Sequence, residues 1–470
     1  MLPAFSKITK SIFSLSLPTW INAVIGIIAV PIVTRLFEPD ILGKIYLFFT
    51  YVTILSSISL AGMNQGLLRF FNEPPGKNSS GGLFWVCFSI VIFFSSLWSL
   101  LVLFFGKDFF QSLSDSNQKL VFFCMIISAS ALAISNLINS VNLMQNKLIK
   151  YGMLTILLNL CAKISYAGSI FFLDKFAGSI IIVSSVYVSV TILFLYDSKI
   201  NFRSERPIFG INEVIPLLKY SLPFMPVLFI AQINTALPKL LISKYLDYSQ
   251  VGVYSAAFSV VSIISIVQSG INVFWAPFVF KNFSKNSKML SSAHLLVSFL
   301  MIFIGLVIVL FQDLIYIAIG PQYRESQKFF ALLLVSPICY TISETSGIGI
   351  NISKKTYLNI VVYSITLGFT YLLGLLCIPS MGLLGAAISV AIASYCMLIV
   401  KTILGEKFYK MLKCPLKTFG SPAIFILIIS MNTYFFYNLL LRTTIILIGI
   451  AIICFIHFSE LNMMKKNLFR

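Results

Sequence analysis

Leu15–Leu36 reads LSLPTWINAVIGIIAVPIVTRL, with no charged side chain before Arg35. A helix that crosses the hydrocarbon core needs about 20 consecutive, mostly apolar residues. The apolar core of a secretory signal runs for only about 7–15 residues and is followed by a small-residue cleavage site, which this stretch lacks. The segment therefore predicts a first membrane span retained in the mature chain. Outward from it, similar apolar runs predict spans at 14–36, 45–68, 83–105, 120–143, 152–173, 177–196, 217–242, 250–275, 290–311, 329–350, 357–378, 382–403, 418–438 and 443–459. The expected fold class is all-α and polytopic, with about fourteen spans and little chain outside the bilayer.

Composition agrees with lipid as the solvent. Of the 470 residues 58% are hydrophobic and only 10% charged, and mean hydropathy is +0.96. A soluble domain carries roughly a quarter charged residues. An outer-membrane barrel is excluded because its strands alternate polar and apolar residues, whereas these runs are apolar throughout. The eight cysteines stand singly without a CxxC, and the two histidines, His294 and His457, are far apart. That pattern offers neither a disulfide framework nor a zinc site. No GxxxxGK[ST] string occurs, so the chain carries no phosphate-binding loop of that type; Glu73-Pro74-Pro75-Gly76-Lys77 resembles one only superficially and sits in a short turn.

The net charge of +19 is a topology signal. Lys and Arg concentrate in short loops on the cytoplasmic side of a membrane. With the N-terminus inside, 23 of the 34 cations fall on the inner side and ten on the outer, with Lys163 in mid-span. Both termini are then expected on the cytoplasmic side of an inner-type membrane. Nucleic-acid binding, the usual reading of a basic chain, does not fit charges dispersed over separate short loops.

The chain also reads as a duplication. Ser16-Leu17-Pro18 opens span one and Ser221-Leu222-Pro223 opens span seven; Arg35 and Lys239 close them. Gly43-Lys44-Ile45-Tyr46 and Gly252-Val253-Tyr254 lead into the next helix. The basic turn Gln145–Lys150 has a counterpart in Ser353-Lys354-Lys355, and Gly178-Ser179 in Gly382-Leu383-Leu384-Gly385. Six spans per copy give parallel repeats, whose substrate sites lie near the midplane at the repeat interface. The predicted division is a six-helix lobe at 1–196, a cytoplasmic loop at 197–216, a second lobe at 217–410, and a helix pair with a tail at 411–470.

At this point the chain resembles a known family. The span number, the two lobes, the pattern Thr34-Arg35…Gly43…Tyr46 and then Gly62…Gly66-Leu67-Leu68-Arg69 look like the Wzx-type polysaccharide flippases. These form the polysaccharide-transporter branch of the multidrug/oligosaccharidyl-lipid/polysaccharide (MOP) exporter superfamily. The resemblance covers nearly the whole chain, though its motifs are degenerate. It implies a V-shaped architecture and translocation of an undecaprenyl-pyrophosphate-linked oligosaccharide, such as an O-antigen repeat unit, from the cytoplasmic to the periplasmic leaflet. It also implies no enzymatic activity and no cofactor beyond proton or sodium coupling, with the glycan polymerase and chain-length proteins of the pathway as partners. Relatives in the superfamily flip the peptidoglycan precursor or extrude cationic drugs.

Polar groups inside the spans are the candidate site, because a charge at the bilayer centre costs about 2.5–3.5 kcal/mol or more. Lys163 shares a helix face with Asn159 and Tyr166. Gln232 and Lys239 lie on one face of span seven, Gln268 and Asn272 on one face of span eight, and Asn136 on span four; Arg35 and Arg69 lie at span ends. The expectation is a cationic, amide-lined cavity. Arg and Lys hold pyrophosphate through charge-assisted bonds, and amides and hydroxyls hold sugar. For any single Asn or Gln, interhelical bonding is the better account, and only together do they suggest a polar seam; helix-end cations also snorkel. Glu344 is the one plausible intramembrane acid, read either as an ion-coupling site or as the structural partner of Lys163 or another cation. Two other readings stay open: an ion-coupled transporter of another solute, and a membrane glycan polymerase or ligase. The second needs a large periplasmic loop, and the outer loops at 106–119 and 312–328 are short.

Overall fold

The computed structural model describes residues 2–76, 79–105, 117–169, 172, 174–198, 208–283, 287–460 and 462. Most of the predicted outer loop 106–119, the central part of the 197–216 loop and the end of the C-terminal tail lie outside the described residues. Among those described, all regular structure is helical, as the bilayer requires: with no water at that depth, a helix satisfies its backbone groups internally.

The helices run α1 (Leu2–Leu36), α2 (Pro39–Leu60), α3 (Met63–Phe70), α4 (Ser80–Phe105), α5 (Gln118–Met144), α6 (Leu148–Gly168), α7 (Lys175–Asp197), α8 (Ile211–Ser221), α9 (Phe224–Tyr245) and α10 (Tyr248–Val261). They continue with α11 (Ser265–Asn282), α12 (Ser287–Leu310), α13 (Gln312–Ala318), a 3-10 helix (Pro321–Lys328), α14 (Phe330–Leu333), α15 (Val335–Ser346), α16 (Gly349–Ile352), α17 (Leu358–Phe408), α18 (Pro415–Tyr434) and α19 (Leu439–Ile456). Ten helical stretches are long and apolar enough to cross a membrane, and a bent pair over Pro321–Ser346 makes eleven; Trp20–Leu36 and Leu148–Leu160 are shorter apolar helices. Among the described residues the fourteen predicted spans fall largely on helix, but 45–68, 217–242 and 329–350 each run across a break between helices. One stretch holds two of them: at 51 residues α17 would be about 77 Å long if straight, more than twice the hydrocarbon core. It breaks at Gly382, whose φ of 60° and ψ of −136° suit only a residue without Cβ.

The chain forms two compact units, one of Leu36–Ala236 and one of Met1–Arg35 with Leu237–Arg470. In the first, α5 packs against α2, α4 and α7. Small hydroxyl residues make the α5–α7 seam: Ser128 bonds Ser184 and Ser135 bonds Thr191, each at 2.8 Å. Seven residues separate the two pairs on both helices, two turns along one face. Also in this unit, α3 crosses α8 in backbone contact. A Cβ on Gly62 would lie 2.2 Å from the Ser221 carbonyl oxygen, and one on Gly66 would lie 2.1 Å from the Ser221 hydroxyl. The Gly62…Gly66 pattern and the Ser221-Leu222-Pro223 motif thus meet in space.

In the second unit, α15 packs on α17 and α12, and α18 and α19 pack together and on α12. Ser346 and Thr402 join α15 to α17 at 2.6 Å. The buried His294 of α12 bridges Thr345 and Thr418 at 2.8 and 3.1 Å. Asp313 and Arg442 form an ion pair tying the α12–α13 end to α19. The first helix joins this unit through Trp20, whose indole donates to the Ile266 carbonyl at 2.9 Å, and Thr34, whose hydroxyl accepts from the Gly320 amide at 3.0 Å.

Candidate functional site

In the Leu36–Ala236 unit the polar row is built on α5 and α6. These helices are antiparallel because Gln145–Lys147 reverses the chain, with Asn146 in the left-handed region at φ 56°, a conformation Asn tolerates. The Asn139 amide donates to the Thr155 hydroxyl at 3.1 Å and sets the register. Thr155, Asn159 and Lys163 then follow at four-residue steps along one face of α6. In the antiparallel partner, Asn136 lies at about the level of Asn159, and Lys163 one turn further from the connection. Asn136 and Asn159 are exposed, each donating to the carbonyl one turn earlier, at 3.0 and 2.9 Å. Lys163 is half-buried, and among the described residues no acid pairs with it. The Tyr166 side chain lies outside the described residues.

Gln232, half-buried, and the exposed Thr235 occupy successive turns of α9; the Thr235 hydroxyl donates to the Gln232 carbonyl at 2.8 Å. Arg69 lies in the last turn of α3, exposed, 3.9 Å from the more exposed Glu73 and over the Phe70 ring at 5.5 Å. An exposed pair of this kind contributes little, which leaves the guanidinium available.

In the other unit, Lys239 is half-buried on α9 and engaged by neighbours. Gln268 is half-buried and Asn272 exposed, one turn apart on α11, on the helix that receives Trp20. Arg35 is exposed in the last turn of α1. Glu344 stands apart from these: it pairs with Lys401, which is only 4% exposed. The rings of Tyr340 and Tyr363 lie 5.9 and 5.8 Å from the Lys401 ammonium.

The Lys401 partnership was not legible in sequence. Lys401 falls in the last turn of the predicted span 382–403 and reads as an inner-side helix-end cation, but α17 continues to Phe408 and the side chain is buried. Glu344 therefore has a cation of its own, a different one from Lys163.

Helices of this number and length, with isolated polar groups on their faces, define a polytopic membrane protein, and its fold is shared with solved flippase and MOP-superfamily transporter structures. The solved structure of the lipid II flippase MurJ in its inward closed conformation matches at 15% identity and a TM-score of 0.69, covering 95% of this chain and 99% of that one. An inward-facing multidrug resistance MATE transporter of the MOP superfamily matches at 14% identity and 0.61, covering 84% and 97%. A MATE protein in complex with MaL6 matches at 12% identity and 0.60, covering 85% and 96%. No curated protein matches the chain in sequence. Residues 8–283, more than half of the chain, match the family described as polysaccharide biosynthesis protein, and the chain belongs to that family.

Proposed function

We propose that this chain is a flippase for a glycan carried on undecaprenyl pyrophosphate, moving an O-antigen or related surface-polysaccharide unit from the cytoplasmic to the periplasmic leaflet. The observation that carries the reading is Lys163: a half-buried cation within an apolar helix, without an acid partner among the described residues, in a row with amides. Such a group is costly unless something compensates it, and a pyrophosphate does so through charge-assisted hydrogen bonds. Membership of the polysaccharide family supports a glycan as the rest of the headgroup.

The work proceeds by alternating access about a cationic, amide-lined cavity. Lys163, Arg35, Arg69 and Lys239 serve the pyrophosphate, and Asn136, Asn159, Gln232, Gln268 and Asn272 serve the sugar hydroxyls. The lipid tail stays in the bilayer, so the cavity opens sideways to lipid. The membrane is the bacterial inner membrane with both termini cytoplasmic, and the polymerase and chain-length proteins of the same pathway receive the product. The reading includes two six-helix repeats, 1–196 and 217–410, with 197–216 as the connecting loop and 411–470 as an added helix pair. One regularity supports them: Ser128–Ser184, Ser135–Thr191 and Ser346–Thr402 are each hydroxyl pairs separated by 56 residues.

Pairing with Lys401 supports a structural role for Glu344; the second reading is proton or sodium coupling, in which an incoming cation would release Glu344 from Lys401. Translocation by Glu344→Gln should then lose its dependence on an imposed ion gradient; an unchanged dependence removes Glu344 from that role.

The test of the function is reconstitution in vesicles with lipid-linked glycans, scored by their protection from a membrane-impermeant reagent. Lys163→Ala at normal abundance should lower translocation at least about tenfold, the equivalent of one charge-assisted bond, and Lys163→Arg should retain part of it. Wild-type translocation by Lys163→Ala sinks the cavity assignment. Export of a soluble cation with no lipid-linked substrate would favour the drug-exporter reading instead.

A further inference from the structure

The unit of residues 1–35 and 237–470 contains a cavity of about 520 Å³, built by four separate connections: the α9–α10 turn, the 3-10 helix Pro321–Lys328, the break at Gly382 and the turn after α18. Its volume lies in the range of small-molecule sites. The wall is preorganised by the fixed backbone of Gly382 and by Phe329, buried and stacked with Tyr254 at 6.4 Å between ring centres.

The lining has a chemistry distinct from the Lys163 row. Gln250 and Glu325 border the cavity and, among the described residues, neither side chain has a hydrogen bond or an ion pair within the chain. Asp247 caps α10 through the Gln250 amide at 2.7 Å and lies on the same rim. Tyr434 and Tyr437 are 83% and 85% exposed, and the Lys328 ammonium sits 5.4 Å from the Tyr437 ring centre. Two carboxylates against one lysine disfavour a pyrophosphate. The polar rim disfavours an acyl chain, and among the described residues no cluster of three metal-ligating side chains exists. A membrane-interface belt accounts for exposed tyrosines but not for an amide and carboxylates gathered round a concave wall. Carboxylate and amide groups that accept and donate to hydroxyls, beside exposed aromatic faces that cover apolar C–H surface, are the complement of a sugar ring.

We propose that this cavity is a carbohydrate subsite, taking one or a few phosphate-free sugar rings of the headgroup at the end of the unit remote from the Glu344–Lys401 pair. The inference rests on the glycan-flippase reading and deepens it: the cationic row holds the pyrophosphate, while this pocket receives the sugar on the release side.

The test uses the purified full chain in nanodiscs. The probe is a pool of 2-aminobenzamide-labelled oligosaccharides released by mild acid from the isoprenoid-linked fraction of the host membrane, read by fluorescence anisotropy. Saturable binding is expected, insensitive to added inorganic pyrophosphate. It should weaken about tenfold in Gln250→Leu combined with Glu325→Gln, and again in Tyr437→Leu, at unchanged thermal stability. Asp247→Asn keeps a capping side chain while removing the charge, and should weaken binding without unfolding the rim. Absence of saturable binding, or equal binding by all variants, overturns the subsite. Translocation of intact lipid-linked glycan is measured on the same preparation in vesicles. Translocation without sugar binding overturns the subsite alone; sugar binding without translocation of any lipid-linked glycan overturns the flippase reading and leaves the pocket standing.

Discussion

Two lysines inside apolar helices meet opposite fates. Lys401 has a carboxylate and two tyrosines within reach, so its charge is compensated by the chain itself. Lys163 has amides and a hydroxyl on its face and no acid among the described residues. Removing one partner of a buried pair costs about 3–5 kcal/mol, because the other charge is left behind, whereas replacing both by apolar groups is often neutral. Lys401→Ala should therefore lower the unfolding temperature in detergent sharply, and Lys401→Met with Glu344→Leu should recover most of it. Equal stability of the single and double variants would contradict a structural pair. Lys163→Ala, by contrast, should leave unfolding nearly unchanged and act on transport. At this scale the sequence shows which residues are out of place in lipid but not which have company: Glu344 and Lys401 lie 57 positions apart with no local pattern linking them.

Helix contacts depend on side-chain size more than on polarity. Lipid tails are as apolar as leucine, so packing in a bilayer relies on close approach of small residues. The crossing of α3 and α8 is such a contact. Gly66→Leu should prevent it, since a Cβ there already overlaps Ser221; the expected result is loss of folded protein by size-exclusion in detergent, and a normal profile would refute the contact. The α5–α7 hydroxyl pairs should be weaker individually. A Ser135→Ala and Thr191→Val cycle should give a coupling of about 0.6 kcal/mol, the average for interhelical hydrogen bonds in a membrane protein; a coupling several times larger would mean that the pair does more than hold the seam. The Gly62…Gly66 pattern is plain in the sequence, whereas the serine seam is not, because serine is scattered through nearly every span and its two-turn repeat emerges only when α5 and α7 are side by side.

For the whole molecule, the strongest forecast is topological. The fourteen spans expected from the sequence, an even number, and the Lys/Arg excess on one side predict that reporters fused at both ends fluoresce in the cytoplasm, while a cysteine placed at Thr433 reacts with a periplasmic, membrane-impermeant thiol reagent. Labelling of both ends from outside would invert the assignment. What the sequence determined by itself is the class of solvent and the helical runs, not their breaks at Ala61–Gly62 and Leu222–Pro223. A run of some twenty apolar residues in lipid has one good way to satisfy its backbone groups, the helix, and that choice is local. Only the tertiary structure decided that Glu344 meets Lys401, that Gly62 and Gly66 meet Ser221, and that four distant turns enclose one cavity. Such partnerships join residues from 57 positions apart, as in Glu344 and Lys401, to 286 apart, as in Thr34 and Gly320. They arise from how helices stack rather than from how each one forms, and no local periodicity encodes them.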